Sequence, residues 1–511
     1  MLVEFPLRRY RSIAVLILFL LTSLVFWFEP SVFTTYSSAE HSSAHPDEVI
    51  PNAHKAPHDA TLPMSSTSVI PGPSHSAEDD DLLVLPKYKQ VPEETTYCAE
   101  RYGLRYLQNL GNNHINYCTP DSISSLTCFR TQIDANGRVD TFCVGGPANT
   151  DINEKTFKLG CELRNLTGLE VASGVPNLEQ LPGYWYGTGP QILLKKFVKL
   201  DAVKATRSNN VDAPRKFTIL IQREGTISNL WHSMMEISAL FMSLDVLRMA
   251  RDPATGKAIF EDQNIESTQV LILDDYPEGP FYDLWTMFAR NPIIRSNNIS
   301  TFTSLDTENI ILPLPGGSHP LWQGDWEVHA CEQSELLRTF SRRVREFYKV
   351  DNEPGPGDRP LVLTFIDRKE KRRLVDKIKY IERLRSKYPA IRIDLVDFAD
   401  VPFSEQLKIV RRTDILVGVH GAGLTHGIFL PPGSTMVEII PYKFDHKGFR
   451  NLAKLLNHHY YSCHSAEHSM DGRNGNWQAD DVYLEEDRFM NLIEVAVKSM
   501  YNRGLRNEDV I

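Results

Sequence analysis

The stretch TDILVGVHGAGLTHGIFLPPGSTMVEIIP, residues Thr413–Pro441, decides the fold of this chain. An apolar run, Ile415–Val419, leads into His420 and the glycine turn Gly421–Gly423. A second apolar run, Thr435–Ile440, follows a short segment that ends in Pro-Pro-Gly. Apolar runs of this length on either side of a glycine turn and a short helix predict neighbouring strands of a parallel α/β sheet.

The glycine turn predicts a binding site for an anionic group. Glycine has no Cβ, so a ligand can approach the backbone closely, and the start of a helix offers N–H groups to an anion. Ligands of parallel sheets bind at the carboxyl ends of the strands. The spacing Gly-Ala-Gly is not the G-x-G-x-x-G of dinucleotide-binding proteins, so the pattern predicts a phosphate-bearing ligand without identifying it.

Composition limits the classes of partner. At 511 residues and 42% hydrophobic, the chain is long enough for two or three domains with cores of their own. Its net charge of −10 gives no support to nucleic-acid binding, which needs a basic face, so any site for a polyanion must be local.

One short segment supplies such local positive charge. After the predicted strand Leu361–Ile366, the segment Asp367–Arg373 carries five cations in seven residues. Alternating strands and helices on both sides predict that this strand shares a doubly wound parallel sheet with the glycine turn. The cations are therefore expected to favour a diphosphate, the alternative being a solvated helix face.

The cysteines indicate an oxidising compartment. Five of the seven lie between Cys98 and Cys161, without a C-x-x-C pair, which favours disulfides over zinc. The odd number leaves at least one thiol unpaired within the chain. Two sequons, at Asn165 and Asn298, predict N-glycosylation if the chain is luminal.

The N-terminal segment predicts a membrane anchor. Residues 13–28 are an uncharged apolar run preceded by three arginines, which place residues 1–12 in the cytosol. The alternative is a cleaved signal peptide, but no small-x-small site follows the run. Residues 29–92, rich in Ser, Pro and His, are predicted to be a disordered stem.

The remaining chain is predicted to form two α/β domains. Residues 93–351 form the first, with a cysteine-rich start, and residues 358–480 the second. The linker Asn352–Pro360, with three prolines and two glycines, separates them, and residues 481–511 provide a C-terminal helix.

A histidine and a carboxylate near a helix start are the candidates for acid–base chemistry. His232 and Glu236 are four residues apart, so they share one face of a predicted helix. The alternative is a buried histidine bonded to a neighbouring carboxylate. The pair Asp274–Asp275 at a strand end is not a D-x-D motif, and we expect no metal site there.

The glycine-turn stretch resembles the signature of glycosyltransferase family 61, which includes plant β-1,2-xylosyltransferases and EGF-domain-specific O-linked N-acetylglucosamine transferases. Residues Ile415–Pro441 carry the strongest likeness, and the similarity extends over about residues 215–460. Further blocks agree in order: Asn229–His232 with Glu236, the strand end Leu273–Asp275, and Arg368 with one of the two arginines that follow.

This resemblance implies a GT-B architecture, in which two Rossmann-like domains face a cleft and a nucleotide sugar binds mainly to the C-terminal one. It also implies an inverting reaction without a bound metal or other cofactor. The catalytic base would be His232 or Glu236. The donor-binding candidates are Arg368, Arg373, His420, Gly421, Ala422, Gly423, Leu424 and Glu438.

The expected function is that of a secretory-pathway glycosyltransferase. It would transfer a sugar, GlcNAc or xylose, from a UDP-sugar to a glycan or protein hydroxyl. The expected location is the Golgi membrane in single-pass type II orientation, with the endoplasmic reticulum as the alternative. A non-catalytic luminal glycan-binding or scaffold protein of the same fold is the alternative function. A hydrolase would need paired carboxylates or a nucleophile, for which the sequence offers no convincing arrangement.

Overall fold

A parallel five-stranded sheet and a mixed seven-stranded sheet frame the protein in this computed structural model. The residues it describes are 88, 95–131, 139–151, 153–201, 215–253, 255–296, 307–350, 359–467 and 477–502. The chain divides into the units Met1–His75 and Ser76–Ile511. All described residues belong to the second unit.

The strands and helices have the following bounds. In chain order the strands are β1 His114–Asn116, β2 Ser125–Arg130, β3 Thr141–Gly146, β4 Ala148–Asp151, β5 Thr156–Leu159, β6 Val198–Leu200, β7 Phe217–Ile221, β8 Gln269–Ile272, β9 Ile294–Arg295, β10 Asn309–Leu312, β11 Val362–Ile366, β12 Arg392–Val396, β13 Ile415–Val419, β14 Thr435–Ile440 and β15 His459–His464. The α-helices span Thr96–Tyr102, Leu104–Asn112, Gly168–Ala172, Pro190–Phe197, Leu230–Met249, Pro320–Gln323, Glu335–Phe347, Lys377–Lys387, Phe403–Arg411, Gly448–Leu455 and Glu486–Tyr501.

The five-stranded sheet has the order β12-β11-β13-β14-β15, and every neighbouring pair is parallel. Its apolar strands are buried on both faces, as parallel strands covered by helices must be. Because parallel strands end at the same edge, the residues that follow Ile366, Val419 and Ile440 lie side by side. The prediction of a parallel sheet that joins the cationic segment to the glycine turn is confirmed.

The seven-stranded sheet has the order β1-β2-β3-β10-β7-β8-β9 and combines two pairing modes. Strands β10, β7, β8 and β9 are parallel, whereas β1, β2 and β3 form an antiparallel ribbon that continues onto β10. The α/β class is therefore confirmed, and the cysteine-rich start belongs to this sheet. Strands β4, β5 and β6 form a separate small sheet.

The two predicted strands around the glycine turn are observed with their predicted bounds, as β13 and β14. The segment after β11 differs from the alternative of a solvated helix face. Its helix begins only at Lys377, because Arg372 and Asp376 both adopt positive φ angles, 54° and 57°. The cations therefore lie on an irregular loop at the sheet edge.

The long helix Leu230–Met249 is buried on nearly all sides. It shares one hydrophobic core with residues of both large sheets, including Ile219 of β7 and Leu416 of β13. Leu424 and Phe429, from the segment after the glycine turn, belong to the same core. The start of this helix is thereby held near the glycine turn.

Three disulfides confirm the expectation of an oxidised chain: Cys98–Cys331, Cys118–Cys161 and Cys128–Cys143. Cys463 on β15 is the remaining free thiol.

Several predictions fall outside the described residues: the anchor 13–28, nearly all of the stem 29–92, the linker residues 352–358 and the sequon residue Asn298. Within the predicted stem, Tyr88 is described and buried, and its hydroxyl donates to Asp245 at 2.6 Å. Across the described ranges, no helix combines the length and apolarity needed to cross a bilayer. The side chain of Asn165 is exposed.

Candidate active site

Two arginines converge on the glycine turn. Gly421 follows β13 with φ 150°, and a Cβ built on it would lie 2.3 Å from Nη1 of Arg368 and 3.1 Å from Nη2 of Arg372. A Cβ at this position would displace the two guanidinium groups from where they lie, so the glycine allows them to approach the turn. The turn is therefore shaped by the absence of a side chain and lined with positive charge.

The two guanidinium groups lack carboxylate partners among the described residues. Arg372 Nη1 donates to the backbone oxygen of His420 at 2.9 Å, and Arg368 Nε donates to that of Lys371 at 2.9 Å. Arg372 Nε is buried without a hydrogen-bond partner in the described structure. Burial and the charge of Arg368 lower the pKa of Arg372 to about 10. An anion bound at the turn would relieve this like-charge repulsion.

The neighbouring cations are engaged elsewhere. Arg373, a predicted donor-binding residue, forms a bidentate ion pair with Asp481 and is half exposed. Lys369 pairs with Asp397 and Asp400. The structure therefore brings Arg368 to the turn as predicted, but the second arginine there is Arg372.

His420 is held in place by a buried carboxylate. Its Nδ1 lies 2.5 Å from Oε1 of Glu438 on the neighbouring strand β14, and Glu438 also accepts a hydrogen bond from the Tyr460 hydroxyl. Glu438 is thus occupied on both oxygens, which makes it an orienting residue for His420. Because Nδ1 faces this carboxylate, only Nε2 of His420 remains for a ligand.

Aromatic rings enclose the outer side of His420. Its ring centroid lies 4.6 Å from that of Phe444 and 5.3 Å from that of Phe449. Trp477 stacks on Phe444 at 4.1 Å, and the guanidinium of Arg372 lies 5.7 Å from the Trp477 ring. Cation and rings therefore form one continuous surface beside the glycine turn.

The remaining residues of the turn shape it rather than contact a ligand through their side chains. Leu424 is fully buried, and its N–H donates to the backbone oxygen of Gly421 at 2.9 Å. A Cβ on Gly423 would lie 3.0 Å from Ile366 Cγ2, so a small residue allows the turn to pack on β11. Ala422 and Gly423 remain half-buried.

His232 forms a close pair with a carboxylate that the sequence-based prediction did not include. Its Nδ1 lies 2.6 Å from Oε2 of Glu224, which follows β7. Burial lowers the pKa of His232 to about 4 and raises that of Glu224 to about 8. The His232 ring packs edge-on against Trp322 at 4.4 Å and Tyr186 at 5.3 Å.

Glu236 supports this pair from the same helix. It is half-buried and accepts a hydrogen bond from the Glu224 backbone N–H at 2.8 Å. Burial and the neighbouring Glu224 raise its pKa well above the ordinary value. A Cβ on Gly316 would lie 2.9 Å from Glu236 Cγ and 3.1 Å from Glu224 Oε1, so this glycine admits both carboxylates.

The His232 pair and the glycine turn border one another. Trp231 contacts Phe449 at 5.4 Å, and Phe449 contacts His420. Asp325 joins the two sides, because its carboxylate pairs with His446 at 3.0 Å and its backbone oxygen accepts from the Lys447 N–H at 2.7 Å. The predicted base and the predicted anion site therefore belong to a single candidate active site.

Sequence reasoning missed Glu224, Phe444 and Trp477. A signal for Glu224 exists, because it lies directly beyond the apolar run of β7, at the carboxyl end where parallel sheets bind ligands. The rings offer no comparable signal, since only the fold brings them to the turn. Asp274 forms a buried ion pair with Arg223, which gives that strand-end carboxylate a structural partner.

The fold and site define an α/β protein with a cationic glycine turn beside a histidine–carboxylate pair. Residues 230–437 match the family model described as Glycosyltransferase 61. The matched part of the chain is similar to the glycosyltransferase 61 family, and it contains His232, both arginines and the whole glycine turn.

Curated relatives share the same region. The chain is 29% identical over 237 residues to the EGF domain-specific O-linked N-acetylglucosamine transferase of Drosophila melanogaster, covering 45% of this chain and 42% of that protein. The proteins of the same name from Canis lupus familiaris and Mus musculus are each 28% identical over 183 residues, or 35% of this chain and 34% of theirs. The chain thus matches less than half the length of these relatives.

Proposed function

We propose that the protein is an inverting glycosyltransferase that transfers a sugar, GlcNAc or xylose, from a UDP-sugar to a glycan or protein hydroxyl. The observation that carries the proposal is the convergence of Arg368 and Arg372 on Gly421, beside His420. The rings of Trp231 and Phe449 connect this turn to the helix that carries His232. Under this proposal, the chain has the GT-B architecture, with residues 93–351 facing the donor-binding residues 358–480 across a cleft.

The donor diphosphate would occupy the glycine turn. Negative charge gathers on the leaving UDP as the glycosidic bond breaks, and preorganised cations at that point stabilise the transition state. Arg368 and Arg372 supply those cations, and neither forms an ion pair with a carboxylate among the described residues. His420 offers Nε2 to a phosphate or the sugar. Phe444 and Trp477 provide ring faces beside them.

The acceptor hydroxyl would lose its proton to His232. When Glu224 is ionised, it accepts a hydrogen bond from Nδ1–H, which leaves the lone pair of Nε2 free to take a proton. The acceptor oxygen then bonds to the anomeric carbon as the bond to UDP breaks, and UDP leaves with the electron pair. Glu236 holds Glu224 in place and does not itself reach the acceptor.

The experiment that tests the proposal is a panel of UDP-sugars incubated with the full chain. We expect UDP release from UDP-GlcNAc or UDP-xylose, and protection against thermal unfolding by UDP. UDP binding without any sugar transfer would favour the alternative of a non-catalytic glycan-binding protein. If no UDP-sugar releases UDP and UDP does not protect the chain against thermal unfolding, the assignment of the glycine turn is contradicted.

Metal independence and location are parts of the same proposal. We expect EDTA to leave the rate of transfer unchanged, since two arginines would carry the charge that a metal ion carries in other transferases. A loss of activity on EDTA treatment, restored by a divalent cation, would contradict this. The Golgi membrane is the proposed location, to be tested by imaging the full chain and its variant lacking residues 1–28.

A further inference from the structure

A buried histidine supports the glycine turn from inside the protein. His426 is 1% exposed, and its Nδ1 lies 2.7 Å from the backbone oxygen of Gly423. Its Nε2 lies 2.7 Å from Oε1 of Gln406 on the helix Phe403–Arg411. The Phe398 ring stacks on the imidazole with a centroid distance of 4.1 Å. The histidine ring is therefore fixed in position between the turn and this helix.

The Gln406 amide determines which atom the histidine faces on that side. Its Nε2 donates to the backbone oxygens of Phe398 and Val401, both at 2.7 Å, so Oε1 is the atom left for His426. Both ring nitrogens of His426 thus face oxygen acceptors. Burial lowers the pKa of His426 to about 4, so the ring is neutral at pH 7. Because a neutral imidazole carries one N–H, it donates to only one of the two oxygens.

The peptide that joins Gly423 to Leu424 has a partner on each side. Its carbonyl oxygen points into the protein, because the imidazole that it faces is almost fully buried. Its N–H, that of Leu424, donates to the backbone oxygen of Gly421 at 2.9 Å. Gly421 is the residue on which Arg368 and Arg372 converge. The orientation of this peptide therefore helps to set the shape of the turn at the arginines.

We propose that His426 is a positioning residue of the glycine turn, whose Nδ1–H holds the Gly423 carbonyl inward and away from the donor diphosphate. A carbonyl turned outward would add partial negative charge at the turn and compete with the diphosphate for Arg368 and Arg372. The inference rests on the proposed function for the identity of the anion. The fixed orientation of the 423–424 peptide can be measured without any ligand.

Two substitutions in the full chain separate the two contacts of the ring. The side-chain nitrogen of asparagine can occupy the position of Nδ1, and that of glutamine the position of Nε2. His426→Gln should weaken UDP binding, measured by calorimetry, about tenfold or more, because it leaves the buried Gly423 carbonyl without its donor. His426→Asn keeps that donor and should stay within about threefold of wild type. Both variants lose the stacking on Phe398 and should lower the Tm alike, so a merely structural role predicts equal losses of affinity.

His458→Asn provides the matched control. His458 is another buried histidine, and its Nε2 lies 3.1 Å from the backbone oxygen of Gly427 in the segment that follows the turn. The substitution removes a histidine contact to a backbone carbonyl away from the arginines, so it should lower the Tm and leave UDP affinity unchanged. Equal weakening of UDP binding in His426→Gln and His426→Asn would overturn the inference, as would equal weakening in His426→Gln and His458→Asn.

Amide hydrogen exchange without ligand separates this inference from the proposed function. The Leu424 N–H should exchange faster in His426→Gln than in wild type or His426→Asn, because only glutamine releases the carbonyl of the same peptide. That result supports the positioning role of His426 even if the wild-type chain binds no UDP, which would contradict the proposed function. Unchanged exchange in His426→Gln, in a chain whose wild type binds UDP, would refute the inference and leave the transferase proposal standing.

Discussion

Individual residues in this site are defined by the partners that the fold gives them. Arg372 and Arg373 are adjacent and chemically identical, yet Arg372 faces Gly421 whereas Arg373 pairs with Asp481. Likewise His232 and Glu236 share a helix face, but His232 is bonded to Glu224, which lies on another element. Residue type and spacing therefore indicated the segments that form the site in both cases. The tertiary contacts decided which arginine faces the turn and which carboxylate pairs with His232.

Replacing the two adjacent arginines separately tests this selection. Arg372→Ala should lower kcat/KM about a hundredfold or more, because it removes a half-buried cation from the position proposed for the leaving group. It should also reduce the rise in Tm on adding UDP. Arg373→Ala is the matched control and should change kcat/KM less than about threefold, since its ion pair is exposed. An equal fall in kcat/KM in the two variants would contradict the assignment of Arg372, rather than Arg373, to the glycine turn.

The His232–Glu224 pair predicts a pH dependence. While Glu224 holds its proton, its O–H donates to Nδ1 of His232, and Nε2 carries the hydrogen that prevents it from acting as a base. As pH rises through about 8, Glu224 ionises. We therefore expect kcat/KM to increase about tenfold per pH unit below that value and then to level off. A pH profile that is flat between 6 and 8 would refute the role of this pair.

Glu224→Gln separates function from stability. The folded state keeps the Glu224 proton up to about pH 8, whereas the unfolded chain loses it near 4.5, so the native carboxyl reduces stability as pH rises between these values. Glutamine removes this penalty. We expect the variant to be inactive at every pH and, by urea unfolding at pH 8, more stable than wild type, with no such gain at pH 4.

At the scale of elements, the edge of the parallel sheet assembles the donor side of the site. Strands β11, β13 and β14 end together, which places the arginine loop, His420 and the residues after Ile440 next to one another. The glycine turn can face the arginines because it follows β13 directly and lacks a Cβ. Element order alone thus brings together groups that are some 50 residues apart in the chain.

Gly421→Ala tests the turn as an element. The added methyl would occupy the position of the Arg368 guanidinium, and alanine disfavours φ 150°. We expect loss of UDP protection against thermal unfolding and a fall in kcat/KM of about a hundredfold or more. Gly433→Ala controls for backbone strain alone, because Gly433 has φ 76° and an added methyl there would meet no described atom within 4 Å. Retained UDP binding in Gly421→Ala would rule out the proposed phosphate position.

At the scale of the whole molecule, one disulfide joins distant parts of the chain. Cys98 and Cys331 are 233 residues apart, and their bond links the first described helix to the segment preceding the helix Glu335–Phe347. Asp325, which precedes Cys331 in the same segment, pairs with His446 in the loop that follows β14. The disulfide therefore stabilises the frame that holds the two sides of the site, without contacting the chemistry.

Removing this disulfide should lower stability and spare catalysis. Closing so long a loop restricts the unfolded chain, so the double variant Cys98→Ser/Cys331→Ser should lose about 3–5 kcal/mol of unfolding free energy. At a temperature where it remains folded, its KM for the donor should equal that of wild type. Cys463→Ser is the control and should leave the Tm unchanged. If it lowered stability as much as the double variant does, the loss could not be attributed to the disulfide.

The sequence by itself determined the α/β class, the parallel order around the glycine turn, the oxidised cysteines and the likeness to glycosyltransferase family 61. These follow from local patterns: apolar runs of strand length, glycines at a strand end and cysteine spacing. Only the tertiary structure decided that Arg372 rather than Arg373 reaches the turn, that Glu224 partners His232, and that Gln406 partners His426. The physical reason is that such partnerships depend on which surfaces meet across strands and loops, and no spacing along the chain encodes that geometry.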